Sequence, residues 1–280
     1  MTMAVVALLA ERLRVEERLL EQAFAAVGWE ARLCDPNELA IPLQETGGVF
    51  PAVVLDRERS TAETTALAAL LATRGSVVVN RPATTRLLAD RLAFLRHLII
   101  AGIPTPPTIV AFGETATFRA IEELGYPVYL KSFLVDPTMP IAYVEDPDAA
   151  EALVEHRRVL GDERAVLVQK AVAEPDAVRR LVVVGTELLA VVRGRGGEEP
   201  LAFEDTVHWR ALATELIGRL GSGAYAIDAV EVEGKPVVLS AENLVHFREL
   251  VEHGIPVAER LAAFVIEQAR HGGTEHGGTA

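Results

Sequence analysis

Gly125-Tyr126-Pro127-Val128-Tyr129-Leu130-Lys131 is a helix stop, a tight turn and a short apolar strand that ends on a lysine. Working outward, residues 115–124 carry helical spacing closed by Gly125, and residues 108–112 read as a strand before it. Ile103-Pro104-Thr105-Pro106-Pro107 is a stiff connector, preceded by one long helix over residues 84–101 that Gly102 stops. Downstream, residues 141–144 and 165–172 read as strands on either side of a helix over 147–160, with Pro147 suited to a first turn. A lysine at the end of such a strand can reach into a cleft and hold a phosphate as a point charge, or simply face solvent.

The flanks have different grammars. Residues 4–10 form a continuous apolar run of strand length, as in a strand covered on both faces. Helical spacing follows over 15–27, then strands at 29–34, 52–55 and 77–79, with a helix over 61–73 between the last two; this is an open β-α-β-β-α-β unit. After residue 172 the pattern becomes antiparallel. Hairpins are expected over 180–193 and 224–241, turning at Gly185-Thr186 and Glu233-Gly234-Lys235, with helices over 206–220 and 255–270. The expected organisation is an α/β fold with an N-terminal unit over 1–82, a second unit over 83–270 whose small lobe spans about 105–170, and a flexible Gly-rich tail over 271–280.

The chain has 280 residues, half of them apolar, so a substantial core can be buried. A formal net charge of −13 argues against a nucleic-acid groove and against an anionic membrane surface, both of which need Lys and Arg to predominate. The single cysteine, Cys34, allows no internal disulfide and reads as a buried structural thiol in a reducing compartment. No apolar run reaches the length of a membrane span, and residues 1–10 lack a signal-type flank; a cytoplasmic location is expected.

Four features could carry chemistry. Lys131 is the first. The second is Asp228, in Ala226-Ile227-Asp228-Ala229-Val230, where strand parity with Val230 and Val232 favours an inward carboxylate that needs a cationic partner or a metal. Third, Arg180 and Arg193 flank a hairpin and could address one cleft, as guanidinium pairs do with phosphate or carboxylate; charge compensation among 40 acids is the alternative. Fourth, Gly194-Arg195-Gly196-Gly197 could present backbone N–H groups to an anion, or be a plain hairpin loop. There is no Walker loop, no early G-x-G-x-x-G, no His-x-x-x-His pair and no cysteine cluster.

Taken together, Val79-Asn80-Arg81-Pro82, Ala101-Gly102-Ile103-Pro104, Gly125–Lys131, Val168-Gln169, Arg180–Gly185 and Ala226-Ile227-Asp228 resemble the ATP-grasp superfamily, in its lysine-biosynthesis (LysX) and RimK-type ligase branch. The resemblance implies an N-terminal open α/β half-domain followed by a two-lobed ATP-grasp domain with mixed and antiparallel sheets. It implies ATP and Mg2+, an acyl-phosphate route from a carboxylate to an amide, an amino-acid or carrier-protein substrate, and a homo-oligomer. By resemblance, Lys131, Arg91, Gln169 and Lys170 fall on the nucleotide side, Arg180, Arg193 and Arg195 at the reacting end, and Asp228 with Glu242 at the metal.

The sequence also departs from that pattern. Arg91 stands at the family's first nucleotide lysine and Lys170 at its hinge acid. Residues 132–140 lack the glycines of a phosphate-covering loop, Ser240 replaces the second metal carboxylate, and the asparagine before Arg195-Gly196-Gly197 is missing. Two readings follow: an ATP-dependent carboxylate–amine ligase with a shifted metal site, or a non-catalytic binding or regulatory protein on the same scaffold.

Overall fold

The computed structural model describes residues 3–44, 50–135, 141–160, 165–193, 200–201 and 206–275. Its N-terminal part comprises β1 (Ala4–Leu9), α1 (Val15–Ala26), β2 (Trp29–Cys34), β3 (Val53–Asp56), α2 (Ala62–Thr73) and β4 (Val77–Val79). These four strands are parallel in the order β2-β1-β3-β4. Burial on both faces explains the apolar runs Val6–Leu9 of β1 and Val53–Leu55 of β3. Thr61 caps α2 by accepting the Thr64 N–H at 3.3 Å.

The middle part holds α3 (Pro82–Ala89), α4 (Arg91–Ile100), β5 (Thr108–Phe112), α5 (Glu114–Leu124), β6 (Val128–Lys131), β7 (Ala142–Val144), α6 (Pro147–Leu160) and β8 (Ala165–Lys170). Its strands pair antiparallel in the order β5-β8-β6-β7. The long helix expected over 84–101 is therefore two helices. Asp90 takes an extended conformation, and its carboxylate accepts the Ala93 N–H at 2.8 Å to start α4. Around the break, Arg91 N–H donates to Phe133 C=O at 2.7 Å and Val135 N–H to Ala89 C=O at 2.9 Å. The chain after β6 thus takes up backbone groups that a continuous helix would have used itself.

The C-terminal part holds β9 (Arg179–Gly185), β10 (Glu187–Arg193), α7 (Val207–Leu220), β11 (Gly223–Val232), β12 (Lys235–Glu242), α8 (Arg248–Glu252) and α9 (Val257–Glu275). Its strands pair antiparallel in the order β10-β9-β11-β12. On one face Val182, Val184, Val192 and Ala224 join a core with α9 and α1 and with Val6, Leu8, Val53 and Leu55 of the N-terminal sheet. On the other, Leu181, Val183, Val191, Tyr225 and Ile227 pack with Trp209, Leu212 and Leu216 of α7 and with Phe94 and Leu98 of α4. The C-terminal sheet is thus the layer against which both neighbours pack. Helix α9 runs to Glu275, beyond the expected start of the tail at 271, since propagating a formed helix costs less than starting one. Residues 276–280 lie outside the described residues. Among the described residues no helix is long and apolar enough to cross a membrane.

Candidate active site at the junction of the sheets

Lys131 closes β6 with its side chain buried. Its Nζ donates to Gln169 Oε1 at 2.5 Å and reaches Leu239 C=O at 3.5 Å, so the lysine links the middle sheet to β12. Gln169 is in turn fixed by donating to Thr108 Oγ1 at 3.0 Å. The two residues border a cavity of about 250 Å³ walled by Tyr129, Tyr143, Val178, Val230 and Leu239. Lys170 also borders it, but its Nζ turns to the carbonyls of Gly125 and Tyr126, at 3.1 and 2.8 Å. Leu239 reaches this wall because the β11–β12 register slips there: Asp228 faces Ser240, whereas Ala229 faces Val238. Such an extra residue re-aims the strand locally.

The same slip sets Asp228, Ser240 and Glu242 on one face, next to the end of β9. Arg180, opposite Asp228 on β9, lies among them. Its Nε and Nη2 grip both Asp228 oxygens at 2.8 and 3.2 Å, and its Nη1 sits 2.6 Å from Glu242 Oε1. Ser240 Oγ donates to Asp228 Oδ2 at 3.1 Å. Arg180 and Asp228 are buried, whereas the Glu242 side chain keeps 39% of its exposure. Burial by itself lowers the Arg180 pKa, but Asp228 and Glu242 outweigh it and raise it above its ordinary value.

The magnesium expected at Asp228 and Glu242 would meet two carboxylates that already converge on one point. Among the described residues no group of three or more His, Cys, Asp or Glu is placed to hold a metal. Two hard oxygen donors do suit a cation that completes its shell with phosphate oxygens, as Mg2+ commonly does. The donor set therefore fits a phosphate-borne cation and does not form a closed protein cage.

The remaining expected residues are placed apart from this cluster. Arg193 faces Arg179 across β9–β10, while Arg180 faces Val192. Facing residues share a side of a sheet, so Arg193 and Arg180 point to opposite sides and do not address one cleft. Arg193 instead borders an open pocket of about 550 Å³ with Arg179, His208, Trp209 and Glu231. Arg91 lies across from β6, where its Nη1 donates to Ser132 Oγ at 2.8 Å and to Leu134 C=O at 2.7 Å. Arg195 and residues 136–140 of the segment after Lys131 lie outside the described residues. Cys34 is half-buried, and burial, with Asp35 and Glu38 nearby, pushes its thiol up, away from a reactive thiolate.

A second polar cluster, absent from the sequence expectations, joins the ends of β1 and β3 to the chain that leaves β12. Arg57, 2% exposed, donates to Glu17 at 3.1 Å, to Glu16 at 3.2 Å and to Val245 C=O at 2.9 Å, over the ring of Phe247. Burial alone would raise the Glu16 carboxyl, but His246, Arg57 and the Phe247 N–H together hold it at about 2. Beside it, Asn243 pairs with Ser60 and lies 3.5 Å from Asp56 Oδ2. Burial pushes Asp56 up to about 7 against the opposing Glu58 N–H. The only local signal was the charged run Asp56-Arg57-Glu58-Arg59 directly after a buried strand.

Comparison with known proteins agrees with this architecture. The model of the LysX preATP-grasp domain matches residues 6–87. The glutamate–LysW ligase ArgX of Sulfolobus acidocaldarius is 23% identical over 275 residues, covering 93% of this chain and 97% of its own. The D-alanine–D-alanine ligase of Bacillus anthracis, solved with ATP, shares the fold at a TM-score of 0.73 and 14% identity, covering 98% of this chain and all of its own. The RimK-domain ATP-grasp protein of Sphaerobacter thermophilus DSM 20745 is 52% identical at a TM-score of 0.87, over 94% of this chain and 100% of its own. With a relative this similar over 94% of this chain and the whole of its own, and with a LysX-type N-terminal unit, the chain belongs to the RimK-like ATP-grasp family.

Proposed function

We propose that the protein is an ATP-dependent carboxylate–amine ligase that joins an amino acid to a second amino acid or to a carrier protein. The observation that carries this reading is the meeting of two half-sites at Leu239-Ser240. Leu239 walls the cavity that Lys131 borders, and Ser240 holds the Asp228 carboxylate. At about 250 Å³ the cavity is smaller than the roughly 300–1,000 Å³ of a whole-ligand pocket, which suits one part of a larger ligand, a nucleobase. Phosphates leading from it past Lys131 would run toward Arg180, Asp228 and Glu242.

In this reading Lys131, held by Gln169, neutralises phosphate charge, and Lys170 and Arg91 shape the base pocket and the segment after β6. Arg180 orients the terminal phosphate. A divalent cation on Asp228, Glu242 and the phosphates would supply charge neutralisation during transfer. The donor carboxylate attacks the γ-phosphorus and ADP leaves. The acceptor amine then attacks the acyl carbon and loses its proton, phosphate leaves, and an amide remains. ArgX, whose name specifies glutamate and LysW, supports an amino-acid donor and a carrier acceptor. The specific observation behind the non-catalytic alternative is Ser240, a hydroxyl beside Asp228 where the ligases present a carboxylate.

The deciding assay is the thermal midpoint with ATP and Mg2+, run beside Asp228→Ala and followed by ADP release across a panel of amino acids. A ligand that binds only the folded state stabilises it by about 2.7 kcal/mol at a hundredfold excess over its dissociation constant. The ligase reading expects a Mg2+-dependent rise that Asp228→Ala abolishes, with ADP release that requires an acceptor. No shift at millimolar ATP would leave the non-catalytic binding protein as the reading.

A further inference from the structure

Arg180 stands where a metal cation would stand between Asp228 and Glu242. Three of its guanidinium nitrogens are committed, two to Asp228 and one to Glu242, at 2.6 to 3.2 Å. We propose that this guanidinium is an internal cation that occupies the carboxylate pair at rest and gives it up only when nucleotide and divalent cation enter together. The proposal rests on the nucleotide reading above and says how that site fills.

The argument is one of charge. Among the described residues one buried guanidinium is shared between a buried carboxylate and a partly exposed one. A divalent cation arriving alone must push the guanidinium from its partners into a place with no counter-charge, a costly state for a buried ion. A polyphosphate arriving alone meets two carboxylates. When both arrive, the guanidinium exchanges carboxylate oxygens for phosphate oxygens, which its planar fork fits equally well. The carboxylates pass to the metal, and the guanidinium keeps an anionic partner throughout. Ser240 suits this exchange, because its hydroxyl keeps Asp228 Oδ2 in place at 3.1 Å when the arginine leaves. Glu242, the exposed member, marks the side from which the cation enters. Nucleotide and metal then bind with strong positive coupling, and by linkage each raises the affinity of the other equally.

The test is Mn2+ binding to the full chain, followed by the electron paramagnetic resonance signal of free Mn2+, without nucleotide and with a non-hydrolysable ATP analogue. Wild type is expected to bind Mn2+ weakly alone and at least about tenfold more tightly with the analogue. Arg180→Gln, with the pair unlocked, is expected to bind Mn2+ alone about tenfold more tightly than wild type and to lose most of the coupling. Arg180→Lys keeps the charge without the fork and should fall between; it replaces Arg180→Gln should circular dichroism show that variant unfolded. Equal nucleotide-free Mn2+ affinity in wild type and the folded variant overturns the proposal. If the analogue binds neither protein under any condition, the nucleotide reading falls instead, and the nucleotide-free comparison still decides the role of Arg180.

Discussion

Two arginines in this molecule are each gripped by two carboxylates, and their surroundings differ. Arg57, between Glu16 and Glu17, is 2% exposed and spends further capacity on the Val245 carbonyl and the face of Phe247. Its acids come from α1, and its other partners lie on the chain after β12. Arg180, between Asp228 and Glu242, has an 11% exposed side chain and a partner acid that is 39% exposed. In the first cluster the arginine and both acids are buried, and only the outer partners His246 and Arg14 meet water, so its centre holds pieces together. The second has a wet edge, so one partner can rehydrate and be replaced. Similar ion-pair chemistry serves as a rivet in one place and as a contact that can be exchanged in the other.

The largest expected effect separates the two directly. Arg57→Ala takes the shared guanidinium from two buried carboxylates, leaving Glu17 with Arg14 and Glu16 with His246 and the Phe247 N–H, and should cost about 3 kcal/mol in urea unfolding. Arg180→Ala should cost clearly less, because Glu242 can turn to water; equal losses would erase the distinction. Next is Asp56, a buried carboxyl beside the first cluster whose partners are the Glu58 N–H and the Asn243 amide. Its folded pKa of about 7 lies above the ordinary 3.8. Its contribution is therefore complete below the ordinary value and fades as pH rises through 7. Stability should fall on the order of 2–4 kcal/mol between those limits, and Asp56→Asn should flatten that slope. A wild-type profile without the slope would mean that Asp56 is ionised in its buried setting. The smallest effect is at the wet edge: Glu242→Gln should change the melting of the ligand-free protein by less than about 1 kcal/mol. A larger loss would make the second cluster a rivet as well.

Most of the fold was legible in the sequence. Strand runs, helical spacing and glycine stops located the elements, because those signals are local and both hairpins turn where glycine permits it. What escaped was long-range. The break at Asp90 looks like any acid inside a helical run until the chain after β6 arrives to take its backbone groups. The slip at Leu239 leaves no mark in an apolar strand, yet it aims Leu239 at the cavity and aligns Ser240 with Asp228. The expectation that Arg180 and Arg193 share a cleft failed on register, because the β9–β10 pairing shifts by one residue between Leu188 and Ala190, which an apolar strand does not announce. The Arg57 cluster joins residues some 40 to 230 positions apart, beyond any spacing rule. For the candidate site, Asp228 was readable from strand parity, whereas its capture by Arg180 depends on three strands meeting.

One small contact has a consequence for the history of the family. Asn80, at the exit of β4, accepts the Ala224 N–H at 2.6 Å and donates to the Ala224 carbonyl at 2.7 Å. A Cβ on the adjacent Gly223 would stand 2.8 Å from Asn80 Oδ1. Position 223, 143 residues further along the chain, is therefore not free to vary while Asn80 is in place. An asparagine at position 80 forbids any side chain at position 223, and a side chain at position 223 requires a shorter residue at position 80. Descendants that gained a side chain at 223 would have to change position 80 as well, so a paired substitution at these sites would mark a lineage that has rebuilt the seam between its first and last sheets.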